Sequence, residues 1–200
     1  MKGLRPSQLK QLAKEKLNGN WGAAIGLYLL AVVISYAASY VGGLGELFVM
    51  GPLAVGLCCV FLNLYRRGSA QYNDLFAGFD RYWIHFGTGM LVYLFLTLWT
   101  LLLIVPGIIK SYEYSQAFFI QYDHPEMRGT DAIRASREMM KGHKKELFLL
   151  DLSFMGWFLL SVVTYGFFLI YVAPYYYAAR AAFYESLKAV HQTADDNTIE

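Results

Sequence analysis

The sequence predicts an all-α membrane protein, with about six transmembrane helices in three hairpins and amphipathic interfacial helices on the cytoplasmic side. Three observations carry this prediction. Hydrophobic residues make up 56% and charged residues only 16% of the 200 positions, far from the balance of soluble domains. The apolar residues are gathered in long runs, and a bilayer core about 30 Å thick needs roughly twenty helical residues per crossing. These runs do not alternate apolar and polar with period two, so strands are disfavoured. Residues 1–190 read as a single polytopic domain with spans over 22–41, 47–65, 86–105, 108–122, 146–163 and 167–187, and residues 191–200 as a disordered polar tail.

The elements follow in order. Pro6-Ser7 opens a helix whose Leu9, Leu12, Ala13 and Leu17 share one face, with Lys10, Lys14 and Lys16 mostly on the other, as in a helix lying on the inner leaflet. Asn18-Gly19-Asn20 ends it and Trp21 marks the headgroup level. The first span is long and stands behind a basic segment, so it reads as an uncleaved span and not as a signal peptide. Gly42-Gly43-Leu44-Gly45 is a tight connection to the second span, with Pro52 in its first turns and Arg66-Arg67 at its end. Residues 69–85 read as a second interfacial helix, with Tyr72, Leu75, Phe76 and Phe79 at helical spacing. Pro106-Gly107 turns the chain between the third span and a short, polar fourth one. Thr130 is a predicted N-cap for a third amphipathic helix, in which Ile133, Ser136 and Met140 face one way. The last hairpin turns around Thr164-Tyr165-Gly166. Pro52, Pro106 and Pro174 mark one plan used three times: amphipathic helix, span, outer turn, span.

Of the seventeen Lys and Arg residues, all but Lys110 and Arg180 fall in the N-terminal segment, the long loops or the C-terminal flank, which places both termini inside. Lys10, Lys14, Lys16, Arg134, Arg137, Lys141, Lys144 and Lys145 are the predicted membrane-surface basic residues, suited to anionic lipid. The formal charge of +2 implies no nucleic acid. Adjacent Cys58 and Cys59 exclude CxxC redox spacing and read as small buried hydrophobes. His85, His124, His143 and His191 lack the spacing of a zinc site, no nucleophile or nucleotide motif is present, and no metal or other cofactor is predicted.

Charges within spans are costly unless paired or facing a polar cavity, so each is a candidate site. Asp151 and Arg180 are nearly equidistant from the last turn, which sets them side by side roughly 20 Å from it, on the cytoplasmic half. They read as a structural ion pair or as the lining of a cytoplasm-facing pocket. Lys110 and Glu113 are three apart on one helix, and read either as a snorkelling lysine near the outer surface with its partner or as a polar seam for an ion, proton or headgroup. Tyr175-Tyr176-Tyr177 reads as packing and interface anchoring.

The blocks GNWG at Asn20, GPLAVG from Gly51, DLFAGF from Asp74, IVPGIIK from Ile104, AIRASREMMKGHKKELFLLDLSFMGWFLL from Ala132 and PYYYAARAAFY from Pro174 resemble the bacterial integral membrane proteins of domain-of-unknown-function family 975. The resemblance covers nearly the whole chain and implies a six-helix protein of the bacterial cytoplasmic membrane, without a mechanism. The chain is also distantly similar to the membrane domain attached to some glycerophosphodiester phosphodiesterases, but none of that enzyme's catalytic residues can be placed here. The functional expectation is therefore a non-enzymatic scaffold that interacts with lipids or a partner, as a homo-oligomer or with another membrane protein. A small transporter or channel using Lys110, Glu113, Asp151 and Arg180 is the alternative.

Overall fold

In the computed structural model, residues 5–40, 45–102 and 104–196 are described, and they are helical throughout apart from turns and short connections. Among the described residues ten α-helices follow in order: α1 Pro6–Leu17, α2 Trp21–Ser39, α3 Gly45–Arg67, α4 Tyr72–Phe76, α5 Tyr82–Leu102, α6 Ile104–Tyr114, α7 Ala117–Asp123, α8 Gly129–Met139, α9 Lys144–Val163 and α10 Leu169–Asp196. Four of them, α2, α3, α5 and α9, are long and apolar enough to cross a membrane. The predicted connection at 42–44 lies outside the described residues. The stretch predicted as one span over 108–122 is two helices, α6 and α7, broken at Ser115-Gln116. Of the polar tail predicted over 191–200, the part up to Asp196 is helical, an extension of α10, with His191 Nδ1 3.0 Å from the Leu187 carbonyl oxygen, and residues 197–200 lie outside the described residues.

The bundle is organised around α3, whose apolar window is 72% buried against 17%, 22% and 22% for α2, α5 and α9. Helices α2, α5, α7 and α10 all pack on it. So does the segment predicted to lie at the membrane interface, which forms α4 and a 3-10 turn at Ala77–Phe79 with Leu75 buried. Two glycines make this docking possible. A Cβ on Gly78 would stand 1.8 Å from the Pro52 carbonyl oxygen, and one on Gly56 would stand 2.0 Å from that of Leu75. Backbone meets backbone there, which only Gly permits. Asp74 completes the join by accepting hydrogen bonds from the Asn63 side chain at 2.9 Å and the Gln71 backbone N–H at 2.7 Å.

Pro52 lies well inside α3 and not in its first turn, so the Phe48 carbonyl lacks its helical donor. The Tyr82 hydroxyl donates to that oxygen at 3.2 Å. Pro106-Gly107 is likewise not the turn itself but part of the opening of α6, where a proline is tolerated. The site of a Gly107 Cβ is 3.0 Å from Thr100 Cα, so α5 and α6 are in close contact there. The predicted turn at 164–166 is present, with positive φ at Tyr165 and Gly166. Thr130 is not a cap, because α8 begins one residue earlier with Arg128 at the N-cap. Ile133, Ser136 and Met140 are buried, while Arg134, Arg137, Glu138 and Lys141 are exposed.

Helix α1 packs its buried Leu9, Ala13 and Leu17 against α10, with contacts also to α9 and α3. The Trp21 ring stacks on Tyr171 of α10 at 4.4 Å between centroids.

Candidate functional site

Helices α9 and α10 bring Asp151 and Arg180 to the wall of one cavity, about 320 Å³, whose other walls include Cys58 and Ala54 of α3, Val92 and Leu96 of α5, and Ser111 and Tyr112 of α6. The two charges do not touch directly, contrary to the predicted pair. Tyr176, one helical turn before Arg180 on α10, stands between them. Its hydroxyl donates to Asp151 Oδ1 at 2.9 Å and accepts from Arg180 Nη1 at 3.0 Å. The carboxylate and the guanidinium are thus linked through a neutral group, and the Arg180 Nε is buried without a hydrogen bond among the described residues. A guanidinium carries five donor hydrogens, so Tyr176 meets only part of its capacity. The i, i+4 spacing sets Tyr176 beside Arg180, but Tyr177 stands at i, i+3, so spacing alone does not choose between them.

The second predicted pair is present and is larger than predicted. Glu113 accepts from Lys110 Nζ at 2.6 Å and from Lys144 Nζ at 2.6 Å, and Arg137 Nε lies 3.5 Å away. These cations come from α6, α9 and α8. Because Lys144 opens α9, the Lys110–Glu113 pair lies beside the α9 N-terminus, and not at an outer surface remote from it. The break between α6 and α7 is stabilised from the same quarter. The Ser136 hydroxyl of α8 donates to the Glu113 carbonyl oxygen at 2.6 Å and accepts from the Gln116 N–H at 3.1 Å, so the two backbone groups exposed by the break are paired. Neither Lys110 nor Glu113 lines the cavity that holds Asp151 and Arg180. The four predicted charges therefore form two separate groups.

The predicted surface cations also divide. Lys10 turns inward, its ammonium donating to the Ser153 carbonyl at 2.6 Å and lying 4.4 Å from the centroid of the Phe154 ring. Burial there pulls its pKa below the ordinary value. Lys16 lies over the Tyr65 ring, and Lys144 and Arg137 face Glu113. Lys14, Arg134, Lys141 and Lys145 are exposed.

A third cluster was not read from the sequence at all. Asp123, at the end of α7, accepts from Arg66 Nη1 at 2.7 Å and Nη2 at 2.8 Å, from Lys188 Nζ at 2.7 Å and from the Tyr184 hydroxyl at 3.0 Å. Arg66 Nε also donates to Glu185 at 2.7 Å. This joins α3, α7 and α10. Burial alone would raise the Asp123 pKa, but hydrogen bonds from Arg66 and Lys188 and the charges of both outweigh it and hold the carboxyl at about 2. Among the described residues no group of His, Cys, Asp and Glu is placed to hold a metal ion.

Fold and site together define an all-helical protein with helices of membrane-crossing length, a largely apolar cavity among them that holds two charged residues, and charge clusters that tie the helices to one another. The chain matches the family described as Protein of unknown function (DUF975) over residues 4–109 and 100–191, and it belongs to that family. No curated protein and no solved structure matches it.

Proposed function

We propose that the chain is a non-enzymatic protein of the bacterial cytoplasmic membrane that organises lipid or a membrane partner around a bundle centred on α3. One observation carries the reading. Three of the four long apolar helices turn most of their length outward, with Val33, Leu94, Leu98, Leu101, Leu159, Val162 and Val163 all exposed. An apolar surface of this extent needs lipid or a partner against it. The segments that would bring the crossings to six are α6–α7 and the first part of α10. An even number keeps both termini on one side, and the distribution of Lys and Arg makes that side cytoplasmic. Exposed Lys14, Arg134, Lys141 and Lys145 then face anionic headgroups, each contributing about 1 kcal/mol near the surface.

The test is extraction into native nanodiscs with identification of co-purifying lipids and proteins. Enrichment of anionic lipid over the bulk membrane, reduced when those four cations are changed to Gln, supports the reading. Enrichment that does not change contradicts the contact of those four cations with anionic headgroups. The second reading, a small transporter, draws on the cavity holding Asp151 and Arg180. Solute or ion flux in proteoliposomes that depends on those two residues would favour it over the first.

A further inference from the structure

We propose that the cavity between α3, α5, α6, α9 and α10 binds a zwitterionic ethanolamine-phosphate group, with its phosphate on Arg180 and its ammonium on Asp151. The inference rests on the lipid-interacting reading and names the chemistry of one site within it. The donors and acceptors that face the cavity decide the ligand. Arg180 supplies the positive charge, and of its donors only Nη1 has a hydrogen-bond partner among the described residues. Arg180 is only part-buried, but its Nε is closed off without a partner, and a phosphate oxygen suits the donors of its fork that remain.

Asp151 supplies the negative charge on the same wall, with Oδ1 engaged by Tyr176 and the Tyr112 hydroxyl of α6 also against the carboxylate. Ser111 adds acceptor capacity only. Its single hydroxyl proton is committed to the Ile108 carbonyl at 2.7 Å, so towards the cavity it can receive but not give. Phosphate alone would face the Asp151 carboxylate, and ammonium alone would face Arg180. A neutral group carrying both charges matches both ends. Arg180 Nη1 and Asp151 Oδ1 are spanned by the two hydrogen bonds of Tyr176, at 2.9 and 3.0 Å, a separation that a group of this size bridges.

Volume and wall agree with this. At ~30 Å³ per water, a space of about 320 Å³ corresponds to about ten waters, room for a headgroup but not for a whole lipid. The remainder of the lining includes Val92, Leu96 and Phe118, which suits the apolar root of a lipid.

The ethanolamine phosphate could belong to a lipid or be free in solution, and the test separates these sources. Full-length protein in nonionic detergent is titrated calorimetrically with dihexanoyl phosphatidylethanolamine, dihexanoyl phosphatidylglycerol and free phosphoethanolamine. The expected result is saturable binding of the ethanolamine lipid, at least tenfold tighter than the glycerol lipid, with Arg180→Gln and Asp151→Asn each weakening it at least tenfold. Free phosphoethanolamine binding as tightly as the lipid identifies a soluble source, and much weaker binding identifies the lipid. Should Arg180→Gln fail to fold, Leu96→Trp decides, because it fills the cavity while leaving both charges in place. It is expected to abolish binding with the unfolding temperature unchanged. The proposal is overturned by no saturable binding, by equal affinity for the two lipids, or by Leu96→Trp binding as the unaltered protein does. If lipid is still enriched in native nanodiscs in that case, the cavity assignment fails alone and the broader reading stands.

Discussion

Replacing Asp123 with Asn removes the charge on which Arg66 and Lys188 converge while keeping the size of the side chain. Its cost can be worked from the structure. The carboxyl titrates at about 2 in the folded protein against an ordinary value of 3.8, a difference equivalent to somewhat over 2 kcal/mol of preferential stabilisation of the ionised form. The Asp123 side chain is 7% exposed, but those of Arg66 and Lys188 are 31% and 33% exposed, so solvent screening reduces the figure to about 2 kcal/mol. For a chain of this length that corresponds to a fall of about 4–8 °C in unfolding temperature.

The pH dependence follows from the direction of the shift. Because the folded pKa is the lower one, the stabilisation is fully present above about pH 4 and is lost as pH falls from there through about 2. Thermal unfolding of both proteins in the same detergent, from pH 7 to pH 2, should therefore show a gap that is constant down to about pH 4 and then closes. A gap that persists unchanged to pH 2, or no gap at pH 7, would refute the assignment of Asp123 as the charge that ties α3, α7 and α10 together.

Two further substitutions test the backbone contacts. Gly78→Ala puts a methyl 1.8 Å from the Pro52 carbonyl oxygen and 2.8 Å from the Gly56 nitrogen, where only backbone can move. A loss of about 3 kcal/mol or more is expected, seen as loss of the monodisperse peak in fluorescence-detected size exclusion, while Gly87→Ala, with open space at its Cβ, should leave that peak unchanged. Ser136→Ala leaves the Glu113 carbonyl and the Gln116 N–H unpaired and should cost about 1–3 kcal/mol in unfolding by denaturant titration. Unaltered stability would show that the break between α6 and α7 does not depend on that hydroxyl.

The long helices were legible because their apolar runs outlast any soluble core helix, and α2, α3, α5 and α9 begin and end within a few residues of the predicted limits. Lys110 with Glu113 was legible from spacing on one helix, and the shared cavity wall of Asp151 and Arg180 from their nearly equal distances to one turn, although Tyr176 takes the place of the direct contact expected between them. What helical periodicity cannot reveal is the partner of an apolar face. Leu75 has the same spacing whether it meets lipid or α3, and it meets α3. The break at Ser115-Gln116 carries no proline or glycine, because the group that accommodates it is Ser136 of another helix. Asp123 reads as a loop residue, and its partners Arg66 and Lys188 lie in distant parts of the chain. Tyr176 sits in a run of three tyrosines, and only the fold shows which one reaches between the two charges.

The central claim, that the outward faces of the bundle lie in lipid around α3, is tested most directly by spin labels in reconstituted bilayers. Single labels at Val33, Leu98 and Val162, on faces that are exposed and apolar, should relax more with oxygen than with a water-soluble nickel chelate. A label at the exposed Lys14 of α1 should show the reverse. Nickel accessibility that dominates at Leu98 and Val162 would place those faces in water and contradict the account.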